Sequence, residues 1–238
     1  MYPSEPRSDE PKKHLPELFL VEGESAGLAV QRVCNQDFQQ VITMQGKPMN
    51  AWKASAEKVS ANPLYRAVVD ALGTGLGNAF QLSACKFSKV ILLFDPDADG
   101  IHCSALMLWF FHRWMPDLLS SGRILVAMPP LCELRNLDTN QTAYPTHPKE
   151  IDQILQTWTD ARVAPVDRTF ALDATIPSDK TVQREAWTTK KVFRGLASMG
   201  SEVLLRNCID PATRTLRRAR PEDAIASLEA FAGREFRA

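Results

Sequence analysis

The sequence predicts an α/β fold, with a mainly parallel β-sheet, helices on both faces of that sheet and a mostly helical C-terminal tail. Two observations indicate this class. Short apolar runs alternate with stretches of helical periodicity, and two of the runs stop abruptly at turns rich in acidic residues and glycine. In parallel sheets the ligand site lies at the carboxyl ends of the strands, so functional residues are expected in those turns.

Three strands are predicted in order along the chain. Residues 18–21 form an apolar run that ends at Glu22, after which apolar residues recur at helical spacing. Residues 89–94 form a second run that ends at Asp95 and leads into a long helix predicted over residues 102–119. A third strand is predicted at residues 124–127. Further helical stretches are predicted at residues 63–72, 149–158, 202–207 and 221–231.

Composition and periodicity divide the chain into four segments. Residues 1–14 mix proline with both charge signs and are expected to form a disordered arm. Residues 15–134 hold the α/β domain. The pattern weakens over residues 135–190, which we interpret as an irregular insertion, and residues 191–238 form the tail.

Composition narrows the class of protein. The chain has 238 residues, of which 45% are hydrophobic, so it can bury an ordinary core. Its formal net charge is zero, so any DNA contact has to come from local patches. The apolar runs are too short to span a membrane, and we expect no signal peptide because the N-terminal residues lack the apolar segment that one requires. Five scattered cysteines without zinc or redox spacing predict reduced thiols, and we expect a cytoplasmic, nucleoid-associated protein.

Acidic residues at two strand ends predict a metal site. Asp95, Asp97 and Asp99 alternate directly after a buried strand, and Glu22 ends the first strand. Like charges this close repel one another unless a cation neutralises them, and hard oxygen ligands suit Mg²⁺ or Mn²⁺. An ordinary solvated turn is the alternative. An EF-hand is excluded because its twelfth position is Leu106 and a strand precedes the turn.

Several motifs, taken together and in order, resemble the TOPRIM domain of the B subunits of bacterial type IIA topoisomerases, gyrase B and topoisomerase IV B. The resemblance covers residues 15–134 and 191–231. The motifs are Glu22-Gly-Glu-Ser-Ala-Gly27, Gly46-Lys47 with Asn50, Gly73-Thr-Gly-Leu-Gly77, Asp95-Pro-Asp-Ala-Asp-Gly100-Ile-His102, Phe193-Arg-Gly-Leu196 and Ile209-Asp-Pro-Ala-Thr-Arg214.

This resemblance implies a Mg²⁺-dependent module that cleaves and religates double-stranded DNA, with an A-type subunit supplying the tyrosine. It implies that Glu22, with Asp95, Asp97 and Asp99, holds the metal, and that Glu22 also moves a proton in religation. Lys47 is similar to a family lysine that lies near the DNA backbone, which implies a catalytic role for Lys47 in neutralising phosphate charge. The predicted DNA contacts are Lys47, Asn50, His102, Arg214, Arg217 and Arg218.

Two of these implied roles have alternatives that the residues leave open. His102, at the predicted helix start, is equally compatible with capping or packing. The arginines lie in a local basic run, residues 206–220, which predicts either a DNA backbone contact or a solvated face paired to nearby acids.

The sequence also departs from the family pattern. Pro96 restricts the backbone between two expected ligands, and Ser104 stands where an arginine is common. Only about twenty residues precede Glu22 and no Walker-type loop occurs, so we expect a stand-alone chain without an ATP site. A separate ATPase subunit is then a further partner. The alternatives are a catalytically silent paralogue that binds DNA or topoisomerase subunits in a regulatory role, and a nuclease that uses water as its nucleophile.

Overall fold

Two β-sheets form the framework of the protein. The computed structural model describes residues 14–163 and 188–232. The strands are β1 (Glu17–Glu22), β2 (Gln39–Met44), β3 (Lys89–Leu93), β4 (Ile124–Ala127), β5 (Cys132–Asn136), β6 (Thr142–Ala143), β7 (Thr188–Val192) and β8 (Leu216–Arg218). The larger sheet has the strand order β2-β1-β3-β4-β8, in which β1 to β4 are parallel and β8 is antiparallel. The smaller sheet, β6-β5-β7, is antiparallel.

Helices cover both faces of the larger sheet, which explains why its central strands are continuously apolar. Residues 18–21 of β1 and 90–93 of β3 are fully buried. The helices are α1 (Glu24–Val33), α2 (Ala56–Ala61), α3 (Pro63–Leu72), α4 (Ala98–Trp114), α5 (Pro116–Ser120), α6 (Pro148–Val163), α7 (Ser201–Leu204) and α8 (Pro221–Ala232). A π-helical turn, Leu205–Ile209, follows α7.

The two faces of the sheet belong to two apolar cores, because successive side chains of a strand point in opposite directions. Leu18 and Leu20 of β1 pack in a core with α3, α4 and α8. Phe19 and Val21 pack in a second core with α1, α7 and the π-helical turn. The C-terminal tail therefore contributes to both cores.

These features confirm the predicted class, a mainly parallel sheet with helices on both faces and a helical tail. The long helix predicted over residues 102–119 is two helices, α4 and α5. Pro116 causes the break, since it lacks a backbone N–H and occupies the first turn of α5. The strand β2 and helix α2 were not predicted.

The segment predicted as an irregular insertion is ordered at both ends. The predicted boundaries at residues 134 and 190 fall inside β5 and β7, and Leu134 is the register partner of Lys190. The two ends of this segment thus pair with each other, through β5 and β7 of the smaller sheet, and helix α6 follows β6. Residues 164–187 lie outside the described part of the chain.

The two chain ends are described only in part. Residues 1–13 of the predicted arm and residues 233–238 of the tail lie outside the described residues. His14 stacks on Phe38, with 4.5 Å between the ring centroids. No helix within residues 14–163 and 188–232 is long and apolar enough to cross a membrane.

Candidate functional site at the carboxyl ends of β1 and β3

The acidic turns meet at one edge of the larger sheet. Strands β1 and β3 are parallel neighbours, and Val21 is the register partner of Leu93. Glu22 is the last residue of β1, and the turn that begins at Asp95 follows β3 by one residue. The topology therefore brings Glu22 and the aspartate turn to the same edge, as the sequence predicted.

Asp95 is the most enclosed of the three aspartates. Its Oδ1 accepts a hydrogen bond from the backbone N–H of Leu196, at 2.8 Å. Burial raises the pKa of Asp95, and the negative charges of Asp97 and Glu22 raise it further, although the Leu196 hydrogen bond opposes this. Since a nearby cation favours the charged form of a carboxyl group, a bound cation would relieve this repulsion.

Asp97 caps a helix in addition to carrying a negative charge. It is the N-cap of α4, and its Oδ1 accepts a hydrogen bond from the backbone N–H of Gly100 at 2.8 Å. Gly100 itself is tightly enclosed, because a Cβ at this position would lie 2.1 Å from the backbone oxygen of Asp95. The first turn of α4 is thus fixed against the acidic turn.

Lys47 lies at the same edge and is paired with Asp99. Its Nζ is 2.8 Å from Asp99 Oδ1, and the two side chains are 47% and 69% exposed. The hydrogen bond and the charge of each partner raise the pKa of Lys47 and lower the pKa of Asp99. Glu22 also contributes to the raised pKa of Lys47. The structure therefore places a cation beside the carboxylates.

Cys103 is a site residue that the sequence analysis missed. Its side chain is buried, and burial together with a hydrogen bond to Glu22 raises the pKa of its thiol to about 12. The thiol is therefore protonated near neutral pH. Cys103 lies four residues after Asp99 on α4, so the two residues share one face of the helix. This spacing is the sequence signal that could have identified Cys103 as a site residue.

The donor set of this edge fits Mg²⁺. Within residues 14–163 and 188–232, no three His, Cys, Asp or Glu side chains form a ready-made metal cage. Mg²⁺ does not require one, because it retains water ligands and is usually bound by one or two carboxylates plus substrate phosphates. Glu22 and Asp95, whose negative charges repel one another, supply two carboxylates for such an ion, and Asp97 lies beside them.

Two predicted DNA contacts have partners within the protein. The Oδ1 of Asn50 accepts hydrogen bonds from the backbone N–H groups of Trp52 and Lys53, at 3.0 and 3.4 Å. The imidazole of His102 stacks on Phe231 of α8, with ring centroids 5.2 Å apart. Asn50 thus shapes the turn after Lys47, and His102 packs against the tail. Their contacts with DNA stay predictions.

The predicted DNA contact of Arg214 does not fit the structure. Its side chain is only 2% exposed and forms an ion pair with Glu17, whose side chain is 3% exposed. The guanidinium also donates to the backbone oxygen of Ile209 at 2.7 Å. A side chain enclosed in this way is not presented to a phosphate, and Arg214 instead joins the tail to the start of β1.

Arg217 and Arg218 do not form one patch. Arg217 pairs with Asp223 at 2.9 Å and lines a cleft that Asp95 also lines. Arg218 donates to the backbone oxygen of Ser120 at 3.3 Å, near the amino end of β4 and away from the acidic turn. The structure therefore associates only Arg217 with the carboxylate edge.

The cleft beside Asp95 has a volume of about 550 Å³ and lies between α4, α8 and the end of β4. Its walls are mainly apolar, with contributions from Phe94, Leu108 and Phe231. Few charged groups line the cleft, and two of them, Arg217 and Asp223, form an ion pair with each other.

Residues 17–129 match the model of the Toprim domain family. This match, together with the parallel sheet and its acidic edge, identifies the α/β part of the chain as a Toprim domain. The predicted resemblance is confirmed.

Curated relatives extend the match beyond this domain. The chain is 33% identical over 218 residues to the B subunit of DNA topoisomerase 4 from Enterococcus faecalis, covering 92% of the chain and 28% of that relative. It is 31% identical over 215 residues to the B subunit of DNA gyrase from Halalkalibacterium halodurans, covering 90% of the chain and 30% of the relative. The chain also matches the B subunit of DNA gyrase from Mycobacterium tuberculosis at 30% identity over 226 residues, covering 94% of the chain and 30% of the relative. The chain therefore spans less than a third of the length of these relatives.

Proposed function

We propose that this chain is the Mg²⁺-dependent DNA cleavage and religation module of a type IIA topoisomerase. It acts with an A-type subunit that supplies the tyrosine. One observation carries the proposal: Glu22 and the turn that begins at Asp95 lie at the same carboxyl edge of the sheet, at the ends of the paired parallel strands β1 and β3. The similarity to the B subunits of gyrase and topoisomerase IV supports the choice of DNA as substrate.

The carboxylates have distinct roles in this proposal. Asp95 and Glu22 would hold Mg²⁺, and Asp97 adds negative charge while it caps α4. A bound Mg²⁺ supplies stabilisation of the charge that develops on phosphate oxygens during cleavage and religation. Glu22 also exchanges a proton with the sugar oxygen that leaves or attacks the phosphorus.

Basic and polar side chains around this edge form the proposed DNA surface. Lys47 is half-exposed beside the carboxylates and neutralises a backbone phosphate. Asn50 and His102 lie on the adjoining loop and helix, and Arg217 lies at the neighbouring cleft. Arg214 is left out of the surface because it is buried. We assign no ATP hydrolysis to these residues and propose that an ATPase domain or subunit supplies it.

A plasmid cleavage assay tests this function. The chain, an A-type subunit, Mg²⁺ and supercoiled plasmid are mixed and trapped with denaturant, and we expect protein-linked DNA breaks. Replacing Glu22 by glutamine removes a metal ligand and a proton carrier, so the yield should fall by about 10²-fold or more. Asp117→Asn is the matched control, because Asp117 is an exposed carboxylate on α5, which leads into the amino end of β4. Equal breakage by the Glu22→Gln variant and the unmodified chain contradicts the proposal.

A second candidate function is a catalytically silent, regulatory paralogue of the topoisomerase B subunits. It is favoured by Pro96, which restricts the backbone between two of the expected ligands, and by Ser104, which stands where an arginine is common in the family. This function predicts that the chain binds DNA or the A-type subunit without producing breaks at any Mg²⁺ concentration. Breaks that form without the A-type subunit would instead support a nuclease.

A further inference from the structure

The apolar walls of the cleft between α4, α8 and the end of β4 have no part in the proposed reaction. The cleft volume of about 550 Å³ lies within the range of about 300–1,000 Å³ that is usual for small-molecule sites. Leu92 and Leu108 line the cleft and are 0% and 4% exposed. Ile101 and Phe231 also line it, yet they are 60% and 47% exposed. The described residues therefore leave an apolar surface open to solvent here, which is typical of a ligand site.

Two aromatic rings contribute to these walls. Phe231 of α8 stacks on His102, with 5.2 Å between the ring centroids, and meets Trp109 edge-on at 6.2 Å. Its ring is thus held in one orientation by two residues of α4. Phe94, which directly follows β3 and is 5% exposed, supplies the second ring. Aromatic rings pack well against other aromatic rings, either offset-stacked or edge-on, so these walls favour a flat aromatic ligand.

The charged groups in the lining favour a ligand without charge. Arg217 pairs with Asp223 at 2.9 Å, and the same carboxylate oxygen accepts the backbone N–H of Arg220 at 2.9 Å. The carboxylate of Asp95, which also lines the cleft, accepts the backbone N–H of Leu196 at 2.8 Å. Both carboxylates are therefore hydrogen-bonded within the protein, and the guanidinium is paired. A charged group on a ligand would leave water for a mainly apolar cleft, which costs free energy unless a free partner is present.

We propose that this cleft is a binding site for an uncharged small molecule with a flat aromatic ring. Phe94 and Phe231 contact the ring of the ligand, and the hydroxyl of Ser104, which also lines the cleft, forms a hydrogen bond with a polar group on it. Pro96 and Gly100 of the acidic turn belong to the same lining, so an occupied cleft lies beside the carboxylate edge. The site needs neither Mg²⁺ nor DNA and so stands apart from the proposed function.

A fluorescent dye tests the site. N-phenyl-naphthylamine is an uncharged aromatic molecule whose fluorescence rises in apolar surroundings, and its titration into the full chain should saturate at one dye per chain. Ala226 is an exposed residue of α8 that lines the cleft. Ala226→Trp fills part of the cleft and should weaken dye binding by about 10-fold or more. Ala230→Trp is the matched control, because Ala230 is an exposed alanine of the same helix that is not part of the lining. Thermal unfolding checks that both variants are folded.

A charged relative of the dye tests the class of ligand. Anilinonaphthalene sulfonate has the same rings with an added sulfonate, and the unmodified chain should bind it about 10-fold more weakly than the uncharged dye. Asp223→Asn frees Arg217 and keeps an oxygen that can accept the Arg220 N–H. This variant should bind the sulfonate more tightly and the uncharged dye as before.

Three results would overturn the proposed cleft site. One is that the uncharged dye does not bind the unmodified chain saturably. The second is equal dye affinity of the Ala226→Trp and Ala230→Trp variants, because the dye then binds elsewhere. The third is tighter binding of the sulfonate than of the uncharged dye by the unmodified chain, which contradicts the proposed class of ligand. Each of these results leaves the proposed DNA cleavage function intact, since the measurements contain neither Mg²⁺ nor DNA.

Discussion

Asp95 depends on a contact with a loop 101 positions later in the chain. The backbone N–H of Leu196 donates to its carboxylate, and Gly195 approaches so closely that an added Cβ would lie 2.5 Å from Asp95 Oδ2. Gly195 has an extended backbone, so the need for glycine here comes from this contact and not from its conformation. The tail loop therefore holds a proposed metal ligand in place.

We predict that Gly195→Ala weakens Mn²⁺ binding by about 10- to 100-fold, because residues that orient metal ligands typically contribute this much. Metal binding is measured by calorimetry, and thermal unfolding is measured in parallel. Gly200→Ala is the matched control, since nothing lies within 4 Å of a Cβ at that position. Equal Mn²⁺ affinity of the Gly195 variant and the unmodified chain would show that the contact does not position Asp95.

The sequence predicted the residues of the acidic edge but not these contacts. Asp95 and Glu22 were recognisable because each follows an apolar strand directly, and neighbouring parallel strands end at one edge. The hydrogen bond from Leu196 joins positions far apart in the chain, so no local pattern reports it. Arg214 illustrates the same limit, since a run of arginines does not show which member is buried in an ion pair.

At the level of elements, a buried ionic network joins β1, β2, β3 and the tail. Glu17 accepts hydrogen bonds from Arg214 at 2.8 Å, from Gln39 at 3.0 Å and from Lys89 at 3.1 Å. Burial tends to raise the pKa of Glu17. The hydrogen bonds from Arg214, Gln39 and Lys89 and the charge of Arg214 outweigh it, so the pKa is lowered from its ordinary value of 4.5.

This lowered pKa predicts a pH-dependent contribution to stability. The unfolded chain binds a proton at Glu17 near pH 4.5, whereas the folded chain does so only at lower pH. The stabilisation is therefore complete above pH 4.5 and is lost as pH falls from 4.5 through the folded pKa. Glu17→Gln leaves Arg214 without its charge partner and should lower the free energy of unfolding by about 3–5 kcal/mol near neutral pH.

Urea unfolding from about pH 7 to about pH 3 measures this effect, because the linkage acts over that range. The difference in unfolding free energy between the unmodified chain and Glu17→Gln should shrink below pH 4.5. Glu229→Gln, which changes an exposed carboxylate on α8, should have little effect throughout. A difference that stays constant or grows as pH falls would contradict the assigned role of Glu17.

Elements with a strong local signal were predictable, and those defined by distant pairing were not. The apolar runs of β1, β3 and β4 and the helix α3 follow from apolar periodicity and from flanking turns. The second sheet pairs Cys132 with Val192, and β7 is exposed along most of its length. Its sequence, Thr-Thr-Lys-Lys-Val, therefore carries no buried pattern that would mark a strand.

At the scale of the whole molecule, the tail and the Toprim domain share one β-sheet and both apolar cores. Strand β8 extends the larger sheet beside β4. The tail helix α8 packs on α4, and the Trp109 indole N–H donates to Ser227 at 2.9 Å. Residues of α7 and the π-helical turn share a core with β1, β3 and α1. The tail therefore contributes to the packing on both faces of the sheet.

We therefore predict that a cavity made in the tail destabilises the whole described structure in one transition. Leu204 of α7 is 1% exposed and packs in the core under β1 and β3. Leu204→Ala should lower the free energy of unfolding by about 2–5 kcal/mol. Leu205→Ala, at a neighbouring position that is 38% exposed, should cost much less.

Far-UV circular dichroism and tryptophan fluorescence, which includes Trp109 on the opposite face of the sheet, should report the same shifted midpoint of unfolding for Leu204→Ala. Two separate midpoints would show that the tail unfolds independently and that the two cores are not coupled through the sheet.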